Sequence, residues 1–251
     1  MNNDHWIDTK LKQEEMNFLN EAIIFEEQRN NNEDWKENAA GNISRCNLID
    51  KDNWFYETVL KQLTERMFYR DWDAYYKYHV EKEEPLPKFK LGELWVNYQK
   101  KHEYAALHNH ECLYSFVIFV KIPTHYEEQH VPPKKLKSHL SIQSFSSSFQ
   151  FVWSKVGKCE RRTFQLSPDY EGRMLFFPAW LLHQVYPFYE CEEERITISG
   201  NVVVKDCNEL KDAPQFGYGY EEKKQLLEIY KNVIKITEEE LKQMKKVVVE
   251  D

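Results

Sequence analysis

Cysteine is sparse in this chain and falls into no pattern. The five residues, Cys46, Cys112, Cys159, Cys191 and Cys207, contain no CxxC pair and no zinc-like spacing. An odd, scattered set excludes a disulfide framework and points to free thiols in a reducing compartment. Long apolar runs are missing as well. The longest covers the nine residues from Cys112 to Val120, interrupted by Ser115, whereas a membrane-spanning helix needs about 20. Met1-Asn2-Asn3-Asp4-His5-Trp6 has neither the basic nor the apolar region of a secretion signal. Positive charge is in deficit. The formal net charge is −8, so no basic face for nucleic acid is expected, and the run Lys134-Lys135-Leu136-Lys137 reads as a solvated loop. There is no internal repeat and no extended low-complexity tract. A soluble, cytoplasmic protein is expected, with no membrane or nucleic-acid partner; its oligomeric state is not legible.

Aromatic side chains are what the chain has in quantity. They make up 15% of the 251 residues, within a hydrophobic fraction of 41%, which supplies a core and argues against disorder. Residues 1–90 read as helical: Met16, Leu19, Ala22 and Ile23 recur at helical spacing, as do Leu60, Leu63 and Met67. From residue 91 to about 205 the pattern changes to strands. Leu94, Val96 and Tyr98 alternate with Trp95, Asn97 and Gln99, and Phe116–Val120, Met174–Phe177 and Ile196–Val204 are further strands. Strands without intervening helices predict antiparallel pairing, hence a sandwich or barrel. Residues 206–251 return to helix, with a stripe of Leu226, Ile229 and Val233 and a capping pattern at Thr237-Glu238-Glu239-Glu240. Each flank has a one-sided apolar stripe that cannot bury itself alone, so all three regions are expected to pack as a single domain. The aromatic-rich stretch from Trp54 to Tyr78 and the loop from Thr124 to Leu140 are expected to serve as a lid.

Two distant segments carry the chemistry. In Leu107-His108-Asn109-His110, residues two apart on a strand share a face, so His108 and His110 are expected to project together. Phe116 and Ile118 are expected to continue that face inward. Two buried imidazoles need partners, and a divalent metal satisfies both; an exposed polar strand start is the plain alternative. His183, after Phe176-Phe177-Pro178-Ala179-Trp180-Leu181-Leu182, is the third ligand candidate, or else a core histidine bonded to backbone. Arg195 shares a strand face with Thr197, and a guanidinium flanked by a hydroxyl suits a carboxylate. The competing reading pairs Arg195 with Glu192, Glu193 or Glu194 in a surface salt bridge.

The order HxH, then Gly172 to His183 with Phe177-Pro178 inside it, then Arg195-Ile196-Thr197-Ile198-Ser199-Gly200-Asn201, resembles the iron(II)- and 2-oxoglutarate-dependent oxygenases. It is most similar to an uncharacterised, prolyl-hydroxylase-like branch found in marine bacteria and their phages; Leu94 to Lys101, Ser115-Phe116-Val117-Ile118 and Pro123 match that branch too. The resemblance covers roughly residues 91–205. It implies a mainly β fold with flanking helices, a double-stranded β-helix of the jelly-roll, cupin-like kind. It further implies iron(II) held by His108 and His183, with 2-oxoglutarate as cosubstrate anchored by Arg195 and Thr197. Asn97, Tyr98, Ser115 and Asn201 fall at positions of the pocket wall.

The family's usual acidic ligand falls at His110, so the third ligand is either His110 or a carboxylate such as Glu111, which points to the opposite strand face. Cys112 and Leu113 stand where relatives commonly have Gly and Asp, and Ala106 or Leu107 where many have Pro. The implied reaction is hydroxylation of a peptide or protein side chain, proline first by analogy, or of a small metabolite, with release of succinate and CO2. For a phage-encoded member the compartment is the host cytoplasm. Two other readings fit the same residues: a cupin-like three-histidine iron dioxygenase that uses no 2-oxoglutarate, and a non-enzymatic jelly-roll binding module.

Overall fold

Alternation along the strand Phe89–Gln99 sets the frame: Leu94, Val96 and Tyr98 are buried on one face, and Trp95 and Asn97 are half-buried on the other. In the computed structural model, residues 5–28, 40–49, 53–71, 88–129, 145–155 and 157–204 are described. The strands are β1 (Ile7–Lys10), β2 (Gly41–Asn42), β3 (Arg45–Leu48), β4 (Phe89–Gln99), β5 (Tyr104–His108), β6 (Tyr114–Lys121), β7 (Ser148–Lys155), β8 (Lys158–Gln165), β9 (Arg173–Pro178), β10 (Leu182–Val185) and β11 (Arg195–Val204). A large sheet has the order β1-β9-β6-β11-β4-β3 and a smaller one the order β2-β5-β10-β7-β8. Within each sheet, every pairing among the described strands is antiparallel. Two facing sheets in this order make a double-stranded β-helix, as the strand pattern and the resemblance predict.

The inward face of the large sheet meets the smaller sheet over an aromatic core. Val117, Phe119, Leu175 and Phe177 pack there with Phe149, Phe151 and Phe164, and Trp6 closes one end. Its outer face is covered by helices. These are α1 (Gln13–Gln28) and α2 (Asn53–Phe55), the latter running through a π turn at Tyr56–Leu60 into α3 (Lys61–Asp71). Leu19, Leu60 and Met67 are fully buried, as the helical stripes predict. Phe55 packs on Phe116 with ring centroids 6.1 Å apart, and Phe68 on Phe89 at 5.4 Å. Gly200 lies opposite Phe116 on the outer face. A Cβ there would come within 2.6 Å of the Phe116 ring and 2.9 Å of the Glu93 carbonyl, so only glycine lets that ring lie flat on β11.

Several expectations need correction. The Phe116 ring does not continue the histidine face inward, although residue 116 borders the cavity; it packs on Phe55, because both sides of β6 are buried and its apolar run has no polar side to mark direction. Residues 1–90 are not all helical, since β1, β2 and β3 lie among them and pair with β9, β5 and β4. The described part of the aromatic-rich stretch, from Trp54 to Asp71, supports the outer face of the large sheet through Phe55 and Phe68. The rest of that stretch, the loop beyond Gln129, the stripe of Leu226, Ile229 and Val233 and the capping pattern at 237–240 lie outside the described residues.

Tyr98 also belongs to the outer face. Its hydroxyl donates to Glu27 at 2.9 Å, and the Arg45 guanidinium lies 3.6 Å over its ring. Tyr98→Phe should therefore cost about 1 kcal/mol of stability, the worth of one intramolecular hydrogen bond, and leave cosubstrate affinity unchanged. Calorimetric unfolding beside a binding titration checks both halves.

Candidate metal centre

Three histidines converge between the sheets at one end of the aromatic core. The register sets His183 of β10 opposite His108 of β5. His110 arrives differently from its sequence expectation: β5 ends at His108, so strand alternation does not carry His110 to the shared side. Instead the chain leaves the strand, and the His110 backbone N–H donates to the Ala179 carbonyl at 2.9 Å in the turn between β9 and β10. That bond fastens the first histidine pair to the segment that supplies the third.

The ligand atoms of His108, His110 and His183 all lie within 4.8 Å of one another. The Nε2 atoms of His110 and His183 are 3.2 Å apart. Two nitrogens each about 2.1 Å from one ion would lie roughly 3.0–3.4 Å apart for right-angled to tetrahedral coordination, so the spacing fits a shared metal. His183 Nδ1 lies 2.9 Å from the Leu181 carbonyl, and His108 Nδ1 lies 2.6 Å from the Ala106 carbonyl. A ring nitrogen facing a carbonyl must carry the proton, which leaves each Nε2 with its lone pair for a metal. Burial pulls all three imidazoles toward the neutral form. His108 is lowered, His110 is pushed down to about 3 by burial and then by His108, and His183 lies well below its ordinary value by burial with both neighbours adding. Glu111 is exposed, and among the described residues no carboxylate joins the cluster.

These depressed values have a consequence for the metal-free protein. The unfolded chain takes up protons near the ordinary histidine value of 6.5, and the folded one only well below it. The unfolded state then binds more protons between those limits, so stability falls as pH drops below about 6.5. Melting temperature should decline from pH 7 to pH 5 in the metal-free wild type and decline less steeply in His110→Gln.

The cluster opens on a cavity of about 180 Å³ lined by polar groups from β4 and β11 and by Phe119, Phe149, Phe177 and Val185. Register explains the polar side. Arg195 is opposite Gln99, Thr197 opposite Asn97, and Ser199 opposite Trp95, and all six line the cavity. Among the described residues no carboxylate lines it, and Arg195 is the one charged wall residue.

Arg195 is 1% exposed, the largest fully buried side chain among the described residues. Its partners are neutral. Nη1 donates to Gln99 Oε1 at 3.3 Å and to the Tyr186 carbonyl at 3.5 Å, Nη2 donates to Ser147 Oγ at 2.7 Å, and Nε has no partner among the described residues. The Phe188 ring lies under the guanidinium at 4.9 Å. The salt-bridge reading is overturned, because the three glutamates are engaged elsewhere: Glu192 with Lys101, Glu193 with Lys121 at 2.6 Å, and Glu194 with Arg45 at 3.8 Å. Burial without a counter-ion pulls the guanidinium down to about 9, which still leaves it charged at neutral pH. A buried cation with no anion is costly, and its position on the cavity wall fits it to an anionic ligand.

Of the sequence-predicted site residues, the structure brings together His108, His110, His183, Arg195, Thr197 and Asn97. Tyr98 is on the outer face, as described above. Ser115 and Asn201 face inward but beyond the cavity, bonded to each other at 2.9 Å, with Asn201 donating to Glu93 at 3.2 Å. Sequence reasoning missed Gln99 and Ser147. Gln99 was within reach, being two residues from Asn97 on the same strand face. Ser147 lies outside any regular strand and had no signal.

Residues 93–201 match the family described as "Putative 2OG-Fe(II) oxygenase". No curated protein matches the chain. Among solved structures, a Pseudomonas putida prolyl-4-hydroxylase is similar at 12% identity and a TM-score of 0.46, over 80% of this chain and 94% of that one. A viral collagen prolyl hydroxylase from Paramecium bursaria Chlorella virus-1 is similar at 13% identity and a TM-score of 0.41, over 80% and 97%. The alpha ketoglutarate dependent epimerase SnoN from nogalamycin biosynthesis is similar at 14% identity and a TM-score of 0.44, over 80% and 79%.

Proposed function

We infer that this chain, whose residues 93–201 match the putative 2OG-Fe(II) oxygenase family, is an iron(II)- and 2-oxoglutarate-dependent hydroxylase of a peptide or protein side chain or of a small metabolite, its metal held by three histidines. The observation that carries this is the pairing of a neutral imidazole cluster with a counter-ion-free buried arginine in one cavity. His108, His110 and His183 would hold iron(II) through lone pairs that burial keeps unprotonated. Arg195 and the Thr197 hydroxyl, which makes no hydrogen bond among the described residues, would receive the distal carboxylate of 2-oxoglutarate. With oxygen, the bound iron and cosubstrate supply the oxidising chemistry: 2-oxoglutarate is cleaved to succinate and CO2, and one oxygen atom enters a C–H bond of the substrate.

The protein's own share is orientation and exclusion of water. Phe119, Phe149 and Phe177 form the apolar wall, and among the described residues no carboxylate lines the cavity. The neutral ligand set also favours a second reading, a three-histidine iron dioxygenase in which Arg195 holds a substrate carboxylate and 2-oxoglutarate is not consumed. One experiment separates them. Iron-loaded protein supplied with 2-oxoglutarate should form succinate with uptake of oxygen, and 2-oxobutyrate, which lacks the distal carboxylate, should support at most about a tenth of that rate by the worth of a charge-assisted bond. Absence of succinate from a fully iron-loaded protein would remove the first reading.

A further inference from the structure

We propose that Gln99 and Ser147 are positioning residues that keep Arg195 electrically uncompensated and so determine that its ligand is an anion. The proposal rests on the 2-oxoglutarate reading of the cavity and adds to it two residues that do not touch the reacting atoms.

A guanidinium has five N–H donors. Gln99 Oε1, the Tyr186 carbonyl and Ser147 Oγ take three of them. Two remain, the number a carboxylate fork accepts, and one of the two is the partnerless Nε. All three acceptors are neutral. They hold the group in place without cancelling its charge, whereas a carboxylate at either side-chain position would form an internal salt bridge and close the site to a ligand.

Both residues are themselves fixed. Gln99 Nε2 donates to the Glu103 carbonyl, which orients the amide so that its oxygen and not its nitrogen meets Arg195. Glu103 is anchored in turn by accepting from the backbone N–H groups of Ser44 at 3.1 Å and Lys100 at 2.9 Å. Ser147 is fully buried and sits at φ 53°, a left-handed conformation that a non-glycine residue adopts at a cost. Its backbone explains how it is held there: its N–H donates to the Pro187 carbonyl at 2.8 Å, and its carbonyl accepts from Leu166 at 3.0 Å. Its hydroxyl also lies 3.1 Å from that of Thr124. Glycine would relieve the backbone at this position but remove the hydroxyl, whose shortest contact is the bond it accepts from Arg195 at 2.7 Å and which also donates to the Leu166 carbonyl at 3.4 Å.

The test uses full-length protein loaded with manganese(II) in place of iron to prevent turnover, with 2-oxoglutarate binding followed by calorimetry. Gln99→Glu supplies the missing counter-ion and should weaken 2-oxoglutarate at least tenfold while metal binding stays at the wild-type level. Ser147→Gly removes the hydroxyl and the backbone strain together. It should weaken 2-oxoglutarate severalfold to tenfold without lowering the melting temperature, a combination that a purely structural serine would not give. Should Gln99→Glu fail to fold, Ser147→Gly decides alone. If wild-type protein binds 2-oxoglutarate and the folded variants bind it equally well, the cradle is wrong and the cosubstrate reading stands. If wild-type protein does not bind it, the reading and the inference fall together.

Discussion

His183→Ala should remove iron(II) binding while leaving the β-core folded. In wild-type protein we expect one ion per chain. In the variant, loss of one of three ligands at a neutral site should weaken binding by at least about 100-fold, since loss of a mere supporting bond to a metal ligand already costs 10–100-fold. His183 is buried beside Phe149 and Phe177, with ring centroids 5.8 and 4.9 Å away, so alanine also leaves a gap in the core. His183→Gln fills most of that gap and provides the control: it should recover stability without recovering tight binding. Metal content after gel filtration gives the stoichiometry. Trp95, with its ring 5.9 Å from that of His110, provides a fluorescence signal for titration. Iron retained at wild-type stoichiometry in both variants would mean that His183 is only a core histidine held by the Leu181 carbonyl.

The second large effect is expected at Arg195, and its signature is a split between binding and stability. Arg195→Met keeps the length of the side chain and removes the charge. Charge-assisted bonds are worth about 1.5–3 kcal/mol each, so affinity for 2-oxoglutarate should fall at least tenfold, and closer to 100-fold if both unspent donors are used. Stability should not fall with it. The wild-type guanidinium is buried among neutral acceptors and an aromatic ring, and replacing an uncompensated buried charge by an apolar group of similar volume is often neutral or stabilising. Unchanged cosubstrate affinity together with a large drop in melting temperature would reverse the assignment and make Arg195 a structural residue.

The strands of the core were legible because their physics is local. Alternation along Leu94–Gln99 marks a strand whatever it packs on, and from it follows the shared face of Asn97 and Gln99. Gly200 could be recognised as a glycine but not explained; its reason is the Phe116 ring that a Cβ would strike. The short strands Ile7–Lys10 and Arg45–Leu48 were illegible, since each contains four residues and is made a strand by the edge it pairs with, not by its own propensity. The apolar run of β6 was readable as a strand but not as an orientation, because a strand buried on both faces has no polar side to point outward.

The site divides along the same line. The residue types and their order singled out His108, His110, His183, Arg195 and Thr197 as candidates, since a nitrogen cluster and a guanidinium beside a hydroxyl are chemical properties of the side chains themselves, and the fold brings all five to one cavity. How they meet was decided by the tertiary structure. His110 joins the cluster through a turn tied to Ala179 and not through strand alternation. Tyr98, adjacent in sequence to a cavity residue, faces the helices. Arg195 could be read equally as a surface ion pair until three lysine and arginine partners were seen to occupy the neighbouring glutamates. Charge compensation is a property of space and not of sequence neighbourhood, because it depends on which carboxylate lies within a few ångströms once the chain has folded. That is why the sequence supplied the arginine, and only the fold showed that its partners among the described residues are neutral.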